Sequence, residues 1–141
     1  MKIAVVSDIH GNLHALEAVL AAIAEMSPDE VWSLGDVVGY GAFPNRCASL
    51  IAAQATVGLA GNHDLAAIGR LSIGEFSADA AVAARWTANE LDGNAREYLA
   101  TLAPELKRPG ADLFHGSPRD PIWDYVLSNE SARESLALTT A

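Results

Sequence analysis

Strand and helix signals alternate along this chain, and that alternation predicts an α/β fold with a mainly parallel sheet under helical cover. Three observations carry the prediction. Ile3-Ala4-Val5-Val6 is a continuously apolar run, Leu13, Leu16, Leu20 and Ile23 recur at helical spacing directly after it, and the same order repeats around Trp32 and Leu50.

The first run lacks polar alternation, the pattern of a parallel strand covered on both faces, and it stops at Ser7-Asp8. A helix is predicted over 13–26, with Met26-Ser27-Pro28 as its stop. Val31-Trp32-Ser33-Leu34 reads as the second strand, halted by Gly35-Asp36, and a helix follows Pro44 through Cys47, Leu50 and Ile51. Ala55 to Ala60 reads as the third strand. Leu65 to Phe76, which contains Gly69 and Gly74, reads as an irregular loop or lid. Ser77 caps a helix over 78–91 that is expected to turn Val82 and Trp86 inward and to close at Gly93. Asn94 and Glu97 resemble a capping box for a further helix ending before Pro104. Asp112-Leu113-Phe114-His115 reads as a short late strand, and a helix over 128–138 follows it.

The chain of 141 residues has the size of one domain, and with 50% hydrophobic and 19% charged residues it lies outside the disordered class. Eighteen acidic against nine basic residues give a formal charge of -9, which opposes a nucleic-acid duplex or an anionic membrane as partner and favours metal cations. Cys47 is alone, so no intramolecular disulfide forms, as expected of a protein from a reducing cytoplasm. No signal-peptide pattern follows Met1, and no apolar run approaches the ~20 residues of a membrane span.

A polar residue able to bind metal follows each expected strand: Asp8 and His10, then Asp36, then Asn62 and His63, then His115. The carboxyl ends of strands in an open α/β sheet line one crevice, so residues far apart in sequence converge there. Asp8 and His10, two apart in an extended segment, would face the same way and offer one cation an oxygen and a nitrogen. The two oxygens of Asp36 could bridge that cation to a second at the ~3.5–4 Å spacing of two-metal hydrolytic sites. Asn62 and His115 would be neutral ligands to the second metal, limiting the negative charge that an approaching phosphate ester meets.

Asp8-Ile9-His10, Gly35-Asp36, Gly61-Asn62-His63-Asp64 and His115-Gly116, in this order and each after a strand, resemble the first four signature blocks of the calcineurin-like metallophosphoesterase superfamily. The resemblance implies a layered α/β sandwich and one such domain over residues 1–141. It also implies a first metal on Asp8, His10 and Asp36, and a second on Asp36, Asn62 and His115. Manganese is the expected metal, with iron, nickel or zinc as alternatives, because mixed oxygen and nitrogen ligands discriminate poorly among them. His63 is implied to protonate the leaving oxygen or to stabilise the transferring phosphoryl group, while a hydroxide bridging the metals attacks phosphorus in line.

The family's fifth block, a Gly-His-x-His, is missing, since the four histidines are His10, His14, His63 and His115. The domain is therefore expected to be truncated at its carboxyl end and to lack much of the second sheet. An apolar sheet face so exposed predicts a homo-oligomer or a protein partner. Gly39 and Tyr40 stand where the family's protein Ser/Thr phosphatases have an aspartate and an arginine, which argues against a protein substrate. The expected activity is hydrolysis of a small phosphodiester or nucleotide-like phosphoester. The alternative is a catalytically silent domain that binds a metal or a nucleotide. His14 is expected on the surface or behind a ligand rather than as one, Cys47 as a buried hydrophobe, and Trp123 and Tyr125 either as loop packing or as a substrate wall.

Overall fold

Ile3–Val6 (β1) pairs in parallel with Glu30–Ser33 (β2), Ile3 opposite Glu30 and Val6 opposite Ser33. The second strand pairs in parallel with the two-residue Val57–Gly58 (β3), giving the order β1-β2-β3. The computed structural model describes residues 1–139. Leu13–Met26 (α1) and Pro44–Gln54 (α2) are the crossovers, so both βα units fall where the apolar patterns place them. Asn12 caps α1 by accepting from Ala15 N at 3.2 Å, and Pro44 opens α2, where its missing N–H costs nothing.

The core lies between these helices and the loop after β2. Leu13 and Leu16 of α1, Cys47, Ala48 and Ile51 of α2, and Val37 and Val38 form one buried cluster with Leu91, Ala95 and Leu99. Val37 and Val38 have no exposed surface, so the segment that carries Asp36 is anchored in the core immediately behind it. Cys47 is fully buried there, and burial pushes its thiol up to about 11, which makes it an inert apolar side chain.

Five sequence expectations change. The segment after Asn62 is not a lid from Leu65 onward: Asn62–Ala67 (α3) is a short helix with all six residues buried. A helix buried on every side shows no amphipathic period, which is why the sequence conceals it. Ala78–Glu90 (α4) turns Ala80, Ala84 and Thr87 inward, while Val82 and Trp86 are 59% and 40% exposed. The small residues form the contact face because α4 packs closely on α3 and α2. Gly93–Ala100 (α5) is capped by Asp92, which accepts from Ala95 N at 2.8 Å, and not by Asn94.

The late strand Ala111–Phe114 (β5) runs antiparallel to Glu105–Arg108 (β4) in a separate two-stranded sheet, a hairpin closed by Pro109-Gly110. That dipeptide is the turn signal that could have revealed β4. The second sheet is thus small. Arg108 fastens it to β2 through Glu30 at 2.6 Å and lies over the Trp32 ring at 5.3 Å. Finally, β1 is an edge strand with Val5 54% exposed, so its apolar run is not covered on both faces. Asn129–Ala137 (α6) is the last helix, and among the described residues no helix is long and apolar enough to cross a membrane.

Candidate active site

Asp8, His10 and Asp36 all adopt left-handed backbone conformations, with φ of 56°, 50° and 53°, and Tyr40 does the same at 54°. Each costs on the order of 1 kcal/mol for a residue with a Cβ, and such strain concentrates where side chains must be aimed. The Asp8–His10 segment is therefore not extended. It is held by a zipper that prolongs the parallel pairing past the strand ends: Asp8 N donates to Gly35 O at 3.1 Å, His10 N to Asp36 O at 2.9 Å, and Gly11 N to Val37 O at 3.0 Å. The two turns still converge the side chains, with His10 Nε2 3.8 Å from an Asp8 carboxylate oxygen.

Asp36 is the centre. Its Oδ2 lies 3.7 Å from His10 Nε2 and 3.7 Å from His115 Nε2, while its Oδ1 accepts from His63 N at 2.9 Å. Asn62 Oδ1 is 3.3 Å from His115 Nε2. Asp8, His10, Asp36, Asn62, His63 and His115 thus share one cleft of about 330 Å³. Every site residue expected from the sequence is in it. Ligand atoms of His10, Asp36 and His63 lie within 4.8 Å of one another, a spacing that a cation could span.

The tautomers of two histidines follow from their partners. His10 Nδ1 contacts Val38 O at 3.2 Å and His115 Nδ1 contacts Leu34 O at 2.8 Å. A carbonyl can only accept, so each Nδ1 carries a proton, and Nε2 is the atom turned toward Asp36 and the cleft. This is the arrangement in which imidazole binds a metal. The strand-end carbonyl of β2 and the core-anchored Val38 therefore aim the two nitrogens.

His63 has a different environment. Its Nδ1 is buried without a partner, and its ring packs against Tyr40 at 4.4 Å and Phe76 at 4.8 Å. Burial, reinforced by His10 and His115, holds its pKa down to about 4, so the ring is neutral at pH 7. Gly39, at φ +97°, leaves room for it: a Cβ there would stand 2.6 Å from His63 Nδ1. Gly39→Ala is accordingly expected to push His63 out of place and to lower turnover by about a hundredfold, with divalent-metal affinity changed far less. Parallel turnover kinetics and metal titration check that split.

Asp64 and Tyr40 escaped the sequence reading as functional residues. Asp64 is fully buried, with Oδ1 accepting from Val38 N and Oδ2 from Gly61 N, both at 3.0 Å. It ties the Gly61-Asn62-His63 turn to the loop that carries Asp36. Its place directly after His63 was the available signal. Tyr40 is 53% exposed, and its ring also meets the edge of His10 at 4.9 Å. His14 is exposed, as expected. Trp123 packs on Phe76 at 5.3 Å, whereas Tyr125 lines the cleft. Ser117 and Arg119 hold Asp124, and Arg119 also reaches Glu134 on α6 at 2.5 Å, which fixes the loop that brings Tyr125 over the mouth.

Burial, then Asp64, then Asp8 push the Asp36 carboxyl up to about 8. A carboxyl raised in the folded state favours folding below its unfolded pKa near 3.8 and loses that contribution as pH rises through about 8. His63, lowered from 6.5, is neutral in both states above pH 6.5, so the window from 6.5 to 8 belongs to Asp36, with Asp64, also raised by burial, acting in the same direction. The chelator-treated protein should lose about 1.4 kcal/mol of stability per pH unit there. Melting curves at several pH values should show a slope that Asp36→Asn lessens and that a saturating divalent cation reverses.

The profile of the family described as calcineurin-like phosphoesterase matches residues 1–131. An uncharacterized protein of Methanocaldococcus jannaschii is 37% identical over 130 residues, which cover 89% of this chain and 54% of that protein. The crystal structure of a metallophosphoesterase from Sphaerobacter thermophilus superposes with a TM-score of 0.85 at 40% identity, covering 99% of this chain and 57% of the other. A hypothetical protein from Pyrococcus horikoshii shares the fold with a TM-score of 0.79 at 21% identity, over 96% of this chain and 64% of its own. The chain thus spans a little over half the length of the first two relatives.

Proposed function

We propose, from the premise that this chain belongs to the calcineurin-like phosphoesterase family, that its strand-end cleft is the metal-binding, substrate-holding part of an enzyme that hydrolyses small phosphodiesters or nucleotide-like phosphoesters. The observation that carries this reading is the position of Asp36 Oδ2, 3.7 Å from two imidazole nitrogens turned toward it from opposite strands.

The donor set fits divalent metals. Asp8, His10 and Asp36 would hold one ion, and Asp36, Asn62 and His115 the other. The crowded carboxyl of Asp36, raised to about 8 when no cation compensates it, supports a site built around positive charge. Manganese suits the mixed oxygen and nitrogen ligands, as do iron, nickel and zinc. Two such ions supply Lewis acidity toward the phosphoryl oxygens and lower the pKa of a water nucleophile.

The chain's own residues do the rest. Asp36 and the two aimed histidines would hold those ions at the strand ends, and so set where a phosphate can sit. His63, neutral in the free protein, donates an N–H hydrogen bond to the phosphoryl group or the departing oxygen. A phosphate anion beside it offsets the burial and the neighbouring imidazoles that lower its pKa, so its basicity rises as substrate binds. The cleft of about 330 Å³ suits a small ester and not a folded protein surface.

Manganese-dependent hydrolysis of a chromogenic phosphodiester by the purified chain tests the proposal, with Asp36→Asn as the control for contaminants. Turnover that vanishes in the variant supports it. A folded protein that binds manganese and turns over nothing supports the silent-binding alternative instead.

A further inference from the structure

The cleft does not end at Tyr40. On the far side of this residue lies a second concavity of about 480 Å³, bounded by Tyr40, Ala42, Asp79, Val82 and Trp86. Val82 and Trp86 lie one helical turn apart on the outward face of α4, 59% and 40% exposed. A tryptophan and a valine partly open to solvent beside a tyrosine held at φ 54° form an apolar shelf. Tyr40 belongs to both concavities, and its ring rests on His63 at 4.4 Å. His63 is the residue assigned to the oxygen that leaves phosphorus. The group attached to that oxygen therefore emerges toward Tyr40 and has the shelf next along its path.

We propose that Tyr40, Val82 and Trp86 form a subsite for a planar ring carried by the leaving alcohol, as in a nucleoside monophosphate or an aryl phosphate. The inference rests on the phosphoesterase reading for the direction in which the leaving group points. A flat ring suits the shelf because Trp86 offers a stacking surface, Val82 an apolar edge and Tyr40 a wall already fixed by its two imidazole contacts. Asp79 at the rim can accept hydrogen bonds from ring amino groups.

The test is calorimetric, on the manganese-loaded protein, with adenosine 5′-monophosphate, phenyl phosphate and ribose 5-phosphate as the probes. The ring-bearing compounds should bind about tenfold more tightly than ribose 5-phosphate, the size of effect that one stacked ring gives. Trp86→Ala should collapse that ratio toward unity, and Trp86→Phe should keep most of it, which separates a lost ring contact from a damaged fold. A gain for adenosine monophosphate alone identifies a nucleobase site, and an equal gain for phenyl phosphate identifies a general aryl site. Equal binding of all three probes overturns the proposal, as does a ratio that survives Trp86→Ala. Light scattering on the same samples provides a further check: a dimer that Trp86→Ala dissociates makes this face a contact between copies and overturns the subsite. Chromogenic turnover measured alongside distinguishes the two failures. Turnover without a ring preference removes only the subsite, and a ring preference without turnover removes only the phosphoesterase reading.

Discussion

Replacing Asp36 with asparagine is expected to abolish metal-dependent turnover, by at least about a thousandfold, while leaving the metal-free protein more stable than its parent. The two effects come from the two ends of one carboxyl. Oδ1 accepts from His63 N at 2.9 Å, a bond that the asparagine oxygen can keep, so the turn carrying His63 stays in register. The amide nitrogen then replaces Oδ2 and points an N–H donor at His10 Nε2 and His115 Nε2. Two potential metal sites lose their common anion at once. The stability gain follows from removing a carboxyl that burial, Asp64 and Asp8 all resist ionising. Turnover assays and thermal melts in chelator on the same preparation read both consequences. Full activity in the variant would remove Asp36 from the bridging role.

Asp64→Asn is expected to damage the site without touching a ligand. Both oxygens of Asp64 accept from backbone N–H groups, of Val38 and Gly61, in a fully buried position. Asparagine must present its NH2 group to one of them, donor against donor, at a cost of about 2–3 kcal/mol. A melting-temperature loss on the order of 10 °C follows for a domain of this size. Because Asp64 clamps the Asn62-His63 turn to the loop bearing Asp36, metal affinity should fall by about ten- to a hundredfold, the usual penalty for removing a residue that orients ligands. Burial raises the Asp64 pKa while the backbone donors lower it. A variant as stable as the parent would mean that the two backbone hydrogen bonds to Asp64 add nothing to the stability of the fold.

Much of this was legible in the residues. Ile3–Val6, Leu13–Met26 and Pro44–Gln54 follow their apolar patterns almost to the residue, because a strand and an amphipathic helix have distinct periods and Asn12 and Pro44 mark the helix starts. The six candidate site residues, which the fold brings into one cleft, differ in how local their signal is. Asp8, His10 and Asp36 are polar side chains placed abruptly after apolar strands whose ends meet in a parallel sheet, whereas Asn62 and His63 open α3 and His115 follows the antiparallel β5.

What failed was what depends on neighbours. Helix α3 shows no amphipathic period, because Asn62–Ala67 is enclosed on every side. Hydrophobicity sent Val82 and Trp86 inward, whereas the close approach of α4 to α3 admits only small residues on the contact face. The order and type of donor residues by themselves pointed to the calcineurin-like phosphoesterase family, to which this chain belongs. Only the tertiary structure decided how those donors are aimed: which nitrogen of His10 and His115 faces the cleft, how Asp64 joins the two loops, and why Tyr40 connects the cleft to the shelf on α4. Residue chemistry is a property of the chain, but a lone pair's direction and a side chain's burial are set by backbone carbonyls and helices that arrive from elsewhere in the sequence.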